Sequence, residues 1–139
     1  MEIAASEPVS MLRLDHDEDV LEAIRGFVSK GESTLVIVAG LGMLHDFELG
    51  YFDSGQYIRR RFHEPHELLS MQGSVSSEGE NRIHIHVSVA DRNHGAFGGH
   101  LLAGRVWMSN EIVLVKLAGA RSRRDLDPAK KVGILHFLE

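Results

Sequence analysis

After one early helix, this chain offers no second stretch that could serve as a crossover helix, and that limits what it can fold into. The helix is well signalled. Asp17 can cap it, Glu18 and Asp19 put negative charge in its first turn, and Val20, Leu21, Ile24, Phe27 and Val28 recur at helical spacing. Lys30 and then Gly31 close it in the expected order, cation before glycine. Everything from Ser33 onward reads as strands joined by short turns. Neighbouring parallel strands need a connection of about a dozen residues or more, usually a helix. The spacing leaves no room for one, so the sheet must be mainly antiparallel.

The strands can be placed one by one. Val9–Leu14 puts Val9, Met11 and Arg13 on one face and Leu12 and Leu14 on the other. Ser33–Gly40 contains Leu35-Val36-Ile37-Val38, apolar on both faces, which predicts a central position. Phe47–Phe52 and Gln56–Phe62 alternate across Asp53-Ser54-Gly55 and should form a hairpin. Glu67–Val75 follows, then Ile83–Val89, with Ile83, Ile85, Val87 and Val89 on one side and His84, His86 and Ser88 on the other. Gly98 and Gly99 help bracket a loop. His100–Val106 and Glu111–Leu117 look like a further pair, and Val132–Leu138 like a closing strand. The expectation is a single α+β domain over residues 9–139, about eight strands packed with one main helix, preceded by a tail of residues 1–8.

Composition narrows the chemistry. There is no cysteine, which removes disulfides, thiolate catalysis and sulfur-based zinc sites. A formal net charge of −5 argues against a general binder of phosphate backbones. No apolar run is long enough to span a membrane, and Met1–Ser10 lacks the start of a signal peptide, so the cytoplasm is the expected location. The one oddity is nine histidines in 139 residues, where roughly 2–3% is ordinary.

His84-Ile85-His86 is the sharpest local feature. On a strand, two side chains at i and i+2 share a face about 6.5–7 Å apart, and two imidazoles there can converge on one ion. The plain alternative is a polar strand face that carries histidine without purpose. Gly98-Gly99-His100 offers a third imidazole, with glycines that let backbones approach and aim the side chain that follows. Three nitrogens with a fourth position open to water or substrate make the catalytic type of site, which would permit hydrolase or lyase chemistry. Here the alternative is a turn and a surface histidine. Glu67 and Glu111 are the carboxylates that could support such a site from behind the ligands; Glu111 equally suits the exposed end of its strand. His45 and His66 would join it only if their strands neighbour that of His84.

Other candidates are weaker. Gly40-Leu41-Gly42 begins like a dinucleotide fingerprint but lacks the third glycine and the helix, and no serine sits in a nucleophile elbow. Arg59-Arg60-Arg61 reads as two solvated arginines and one buried stem. Arg121, Arg123, Arg124, Lys130 and Lys131 stand against Asp125 and Asp127, which could touch nucleic acid but fits a charged surface loop better.

Arg13-Leu14 before an acidic helix start, Glu67-Leu68-Leu69-Ser70-Met71-Gln72-Gly73, His84-Ile85-His86-Val87-Ser88-Val89-Ala90-Asp91 and Gly98-Gly99-His100-Leu101-Leu102 together resemble the plants-and-prokaryotes-conserved (PPC) domain family over residues 9–137. The resemblance implies an α+β domain assembled as a homotrimer, with a divalent transition metal, zinc foremost, at His84, His86 and His100. It also brings in DNA, because plant members carry an AT-hook ahead of this domain, and contacts with other proteins through the trimer. This chain has no AT-hook core, and Glu64-Pro65-His66-Glu67-Leu68-Leu69 keeps only the second half of the plant Gly-Arg-Phe-Glu-Ile-Leu motif. The expected function is therefore a homotrimeric metal-binding protein, the alternatives being a DNA-associated regulator or an interaction scaffold. A small-molecule ligand is not legible.

Overall fold

The structure is a computed structural model that describes residues 1–28 and 32–139. In chain order its elements are β1 (Glu2–Ser6), β2 (Val9–Asp15), α1 (Val20–Phe27), β3 (Thr34–Asp53), β4 (Gln56–Phe62), β5 (His66–Val75), β6 (Ile83–Ala90), β7 (Ala96–Leu117), β8 (Ser122–Asp127) and β9 (Val132–Phe137). Seven strands form one sheet in the order β1-β2-β7-β6-β5-β3-β4, and β3 also pairs with β7. The contacts β7 to β6, β6 to β5, β5 to β3 and β3 back to β7 thus close a ring. All pairings of the named strands are antiparallel, as the absence of crossover helices requires. With one helix, of eight residues, among the described residues, the molecule is α+β but mostly β.

The ring encloses the core. Leu12 and Leu14 from β2, Ile37, Leu44 and Phe47 from β3, Met71 from β5, Ile85 and Val89 from β6 and Ile112 and Leu114 from β7 are almost fully buried. Val20 and Ile24 on the inward stripe of α1 join the same cluster. Each such side chain stabilises the fold by about 1.5–3 kcal/mol relative to exposure, before entropy is counted.

Several expectations change. The helix is capped by Asp19, not Asp17: Asp19 Oδ1 accepts from the Glu22 amide at 3.0 Å. Asp17 lies outside the helix with φ 67° and meets His45 Nε2 at 2.7 Å. The expected closure at Lys30 and Gly31 lies outside the described residues. Residues 1–8 are more than a tail, because Glu2–Ser6 pairs with β2. The two segments expected around Ser33–Gly40 and Phe47–Phe52 are one strand of 20 residues, and those around His100–Val106 and Glu111–Leu117 are one of 22. Positive φ at Gly42 and Asp46 in β3 and at Met108 in β7, with register shifts between Ile37 and Leu49, let these strands bend without leaving the ladder. The β3–β4 hairpin forms as expected, turning at Ser54 and Gly55 with φ 50° and 91°.

The stretch read as a basic loop contains strand β8, paired with β9 as a separate two-stranded sheet. It is fixed to the main body through Ser122: its Oγ lies 2.6 Å from Thr34 Oγ1, and its amide donates to Ser77 Oγ at 3.1 Å.

Candidate metal centre

On β6, inward Ile85 and Val87 anchor the strand in the core and turn His84 and His86 outward. In the ladder between β6 and β7, His100 stands directly opposite His86. Cross-strand neighbours place their Cβ atoms about 4.5–5.5 Å apart, and i, i+2 neighbours share a face. Three imidazoles therefore meet on the outer surface of the ring. Their potential ligand atoms all lie within 4.8 Å of one another. His84 Nε2 and His86 Nε2 are 3.1 Å apart, and the ring of His84 lies 5.0 Å from that of His100.

The two glycines before His100 allow the close backbone approach expected of them, but they belong to β7 rather than a loop, and neither has positive φ. They are needed for close approach: a Cβ on Gly99 would lie 3.0 Å from the Gly50 carbonyl oxygen, and one on Gly98 3.2 Å from Ser88 Cα.

The environment keeps two of the imidazoles neutral. Burial, then the Arg124 charge and His86, lowers the His84 pKa to about 4. Burial, then His84, His86, Arg124 and Arg59, lowers that of His100 to about 4. Neutral imidazole is the form that coordinates metal. His100 Nδ1 is buried without a hydrogen-bond partner, which is costly for a ring nitrogen, whereas a nitrogen bound to a metal needs none. A donor set of three nitrogens without sulfur suits zinc, copper, nickel or iron. The residues present thus fit a divalent transition metal.

Neither carboxylate joins them, since the cluster consists of the three histidines alone. Glu67 is exposed on β5, seven residues from Ser74, the residue that faces His84. Glu111 faces Arg13 and Leu41 at the far end of β7, half-buried. His45 and His66 also lie elsewhere. The His45 ring stacks on that of His16 at 5.7 Å, against Trp107. His66 packs in an aromatic cluster with Phe47, Phe62 and Phe97, and its Nδ1 meets the Glu64 carbonyl at 2.8 Å. None of Arg59, Arg60 and Arg61 has a buried stem: all three are exposed, Arg59 pairing with Glu48 and Arg60 lying over the Phe62 ring.

The basic candidates are largely engaged. Arg121 and Arg123 both pair with Glu78, and Arg123 also reaches Asp125 at 3.8 Å. Lys130 and Lys131 follow in the turn after β8, which Asp127 caps. Arg124 differs, being buried at 8% exposure beside the histidines. Sequence reasoning placed it only among the nucleic-acid candidates and missed it at this site, together with Tyr57, whose ring lies 4.9 Å from that of His100. The available signal was Ser122 and Arg124 at i, i+2, the buried face of a strand without an apolar residue to mark it.

Comparison with known proteins bears on the fold and the family. Two bifunctional GlmU proteins of Synechococcus strains are 37% identical over 72 residues, and the match spans 51% of this chain but only 11% of theirs. A plant- and prokaryote-conserved (PPC) protein of Pyrococcus horikoshii superposes with a TM-score of 0.82 at 28% identity, over 99% of this chain and 95% of that one. A metal-containing protein of Archaeoglobus fulgidus gives 0.78 at 29%, over 99% and 97%. A candidate DNA-binding protein of Bacteroides thetaiotaomicron gives 0.87 over 98% and 96%, but at 21% identity it speaks for the fold alone. The sequence profile of the Plants and Prokaryotes Conserved (PCC) domain matches residues 1–118, ending before the β8–β9 hairpin. The chain belongs to that family.

Proposed function

We propose that this protein is a homotrimer that binds one divalent transition metal ion per chain, zinc foremost, through His84, His86 and His100. The observation that carries the reading is the convergence of three imidazoles within 4.8 Å on a rigid pair of strands. The metal-containing relative from Archaeoglobus fulgidus, 29% identical, adds to it. When bound, the ion would supply Lewis acidity. The protein's part is to hold three nitrogens in place on two paired strands and to keep two of them unprotonated.

Assembly has support on the opposite part of the sheet. Val9 and Met11 on β2 pair with Val115 and Val113 on β7, which pair in turn with Val36 and Ala39 on β3. Val9, Met11, Val38 and Leu41 are exposed there and give this sheet face an apolar surface of the kind that interfaces use. A second copy of the chain is the partner the family resemblance implies, and three copies the number.

A DNA-associated role is the second reading, favoured by Arg121, Arg123 and Arg124 in and just before β8. It is weakened because Glu78 engages Arg121 and Arg123 and the overall charge is −5. Among the described residues no helix is long and apolar enough to cross a membrane.

Native mass spectrometry of protein purified without chelator tests the proposal. Three chains with up to three metal ions, and a metal-free trimer for the double variant His84→Asn/His86→Asn, are expected. A wild-type trimer that takes up no zinc on titration would leave a scaffold instead.

A further inference from the structure

Arg124 is the most unusual charge in the molecule. It is almost fully buried, yet among the described residues no carboxylate pairs with it, although Glu78 engages Arg121 and Arg123 nearby. Its Nη2 donates to Ser74 Oγ at 2.8 Å, its Nη1 reaches the Gly133 carbonyl at 3.5 Å, and its Nε is buried without a partner. A buried cation that lacks a counter-charge is expensive, typically by several kcal/mol.

Its position gives that expense a purpose. Ser74, which holds the guanidinium, stands opposite His84 in the β5–β6 ladder. On the other side, Tyr57 is close enough to Arg124 to interact electrostatically, and its ring packs on His100. The guanidinium is therefore held by Ser74, which faces His84, and lies near Tyr57, which packs on His100. Room for its stem is kept by Gly133, where a Cβ would lie 3.0 Å from Arg124 Cγ and 3.2 Å from Cδ. The other charge felt at His100 is Arg59, again positive. Among the described residues no acidic group is one of the charges that shift His84 or His100. A divalent ion here would add positive charge beside that of Arg124.

We infer that Arg124 and the open position of the three-histidine site together form a two-point receptor for a small oxyanion, a carboxylate or a phosphate group. One oxygen of the anion would face the ion and another would accept from the Arg124 guanidinium. This rests on the metal reading and extends it, by naming the charge and class of the ligand the site takes. It also assigns a role to the β8–β9 hairpin, which lies beyond the family's matched residues and delivers Arg124.

The test uses the full chain loaded with cobalt(II), whose visible spectrum reports the metal's ligands, with acetate and inorganic phosphate as separate probes. Calorimetry with the same anions on metal-free protein runs beside it. Saturable spectral change with at least one anion is expected, and Arg124→Gln should weaken it about 10- to 100-fold, the scale of one charge-assisted hydrogen bond. Cobalt affinity should be retained. Whichever anion binds more tightly names the ligand's class. Should Arg124→Gln fail to fold, Arg124→Lys, which keeps the charge without the fork, and Ser74→Ala, which frees the guanidinium, should each weaken anion binding several-fold. Cobalt binding with no anion effect, or with an effect that Arg124→Gln leaves intact, would overturn the inference while the metal reading stands. Arg124-dependent anion binding without cobalt uptake would remove the metal and keep the oxyanion site. Neither binding would remove both.

Discussion

Gly73→Ala is a one-methyl change that should loosen the metal site without touching a histidine. Gly73 pairs with Ile85 in the β5–β6 ladder, one step from the pairing of Ser74 with His84. A Cβ there would overlap the His84 carbonyl oxygen and lie 3.0 Å from Ile85 Cα. Non-bonded atoms settle near 3.5–4.0 Å, so β6 would have to retreat by about 1 Å at the point where His84 leaves the strand. Metal sites tolerate deviations of about 0.2 Å. Overpacking of this kind costs roughly 1–3 kcal/mol, against about 0.4–1 kcal/mol regained from a stiffer unfolded chain. The net loss of about 1–2 kcal/mol should lower the melting temperature by roughly 3–8 °C. Zinc affinity, read by competition with a chromophoric chelator, should fall about 10- to 100-fold, as when the support behind a ligand is removed. Gly26→Ala is the control, since a Cβ at Gly26 meets nothing within 4 Å. Wild-type melting and wild-type affinity in Gly73→Ala would refute the close approach of β5 and β6 on which the site's geometry depends.

Gly26→Ala itself, in the last turn of α1, should stabilise the protein by up to about 0.5–1 kcal/mol, measurable by urea unfolding. The metal-free protein should lose stability as pH falls from 6.5 toward 4: His84 and His100 titrate near 4 when folded and near 6.5 when unfolded, so the unfolded chain binds more protons in that window. Above pH 6.5 these two groups should contribute no slope, and a denaturation series across pH 4–8 with no such dependence would contradict their burial. Arg121→Ala, at an exposed pair with Glu78, should change stability by about 1 kcal/mol or less in the same assay.

What the sequence conveys is what periodicity encodes. Alternation in Ile83–Val89 gave the inward and outward faces of β6, and with them the direction of His84 and His86. The pairing of His86 with His100 was not legible, because strand register over 14 residues of separation depends on the whole ladder. The long strands β3 and β7 were broken in two because Gly42, Asp46 and Met108, at their bends, interrupt the alternation without ending the pairing. Glu67 and Glu111 were drawn to the site by their place beside apolar residues, but strand direction carries them away from it. Arg124 looked like one of five surface cations; only the docking of β8 through Ser122, with Thr34 and Ser77, makes it a buried one.

X-ray absorption at the zinc edge of the zinc-loaded protein tests the three-histidine site most directly. Three imidazole nitrogens at about 2.0–2.1 Å, with the outer-shell scattering of the rings, are predicted, together with one further light ligand. Fewer than three imidazoles, or an unchanged spectrum for His84→Asn/His86→Asn, would contradict the assignment of His84, His86 and His100 as the metal ligands.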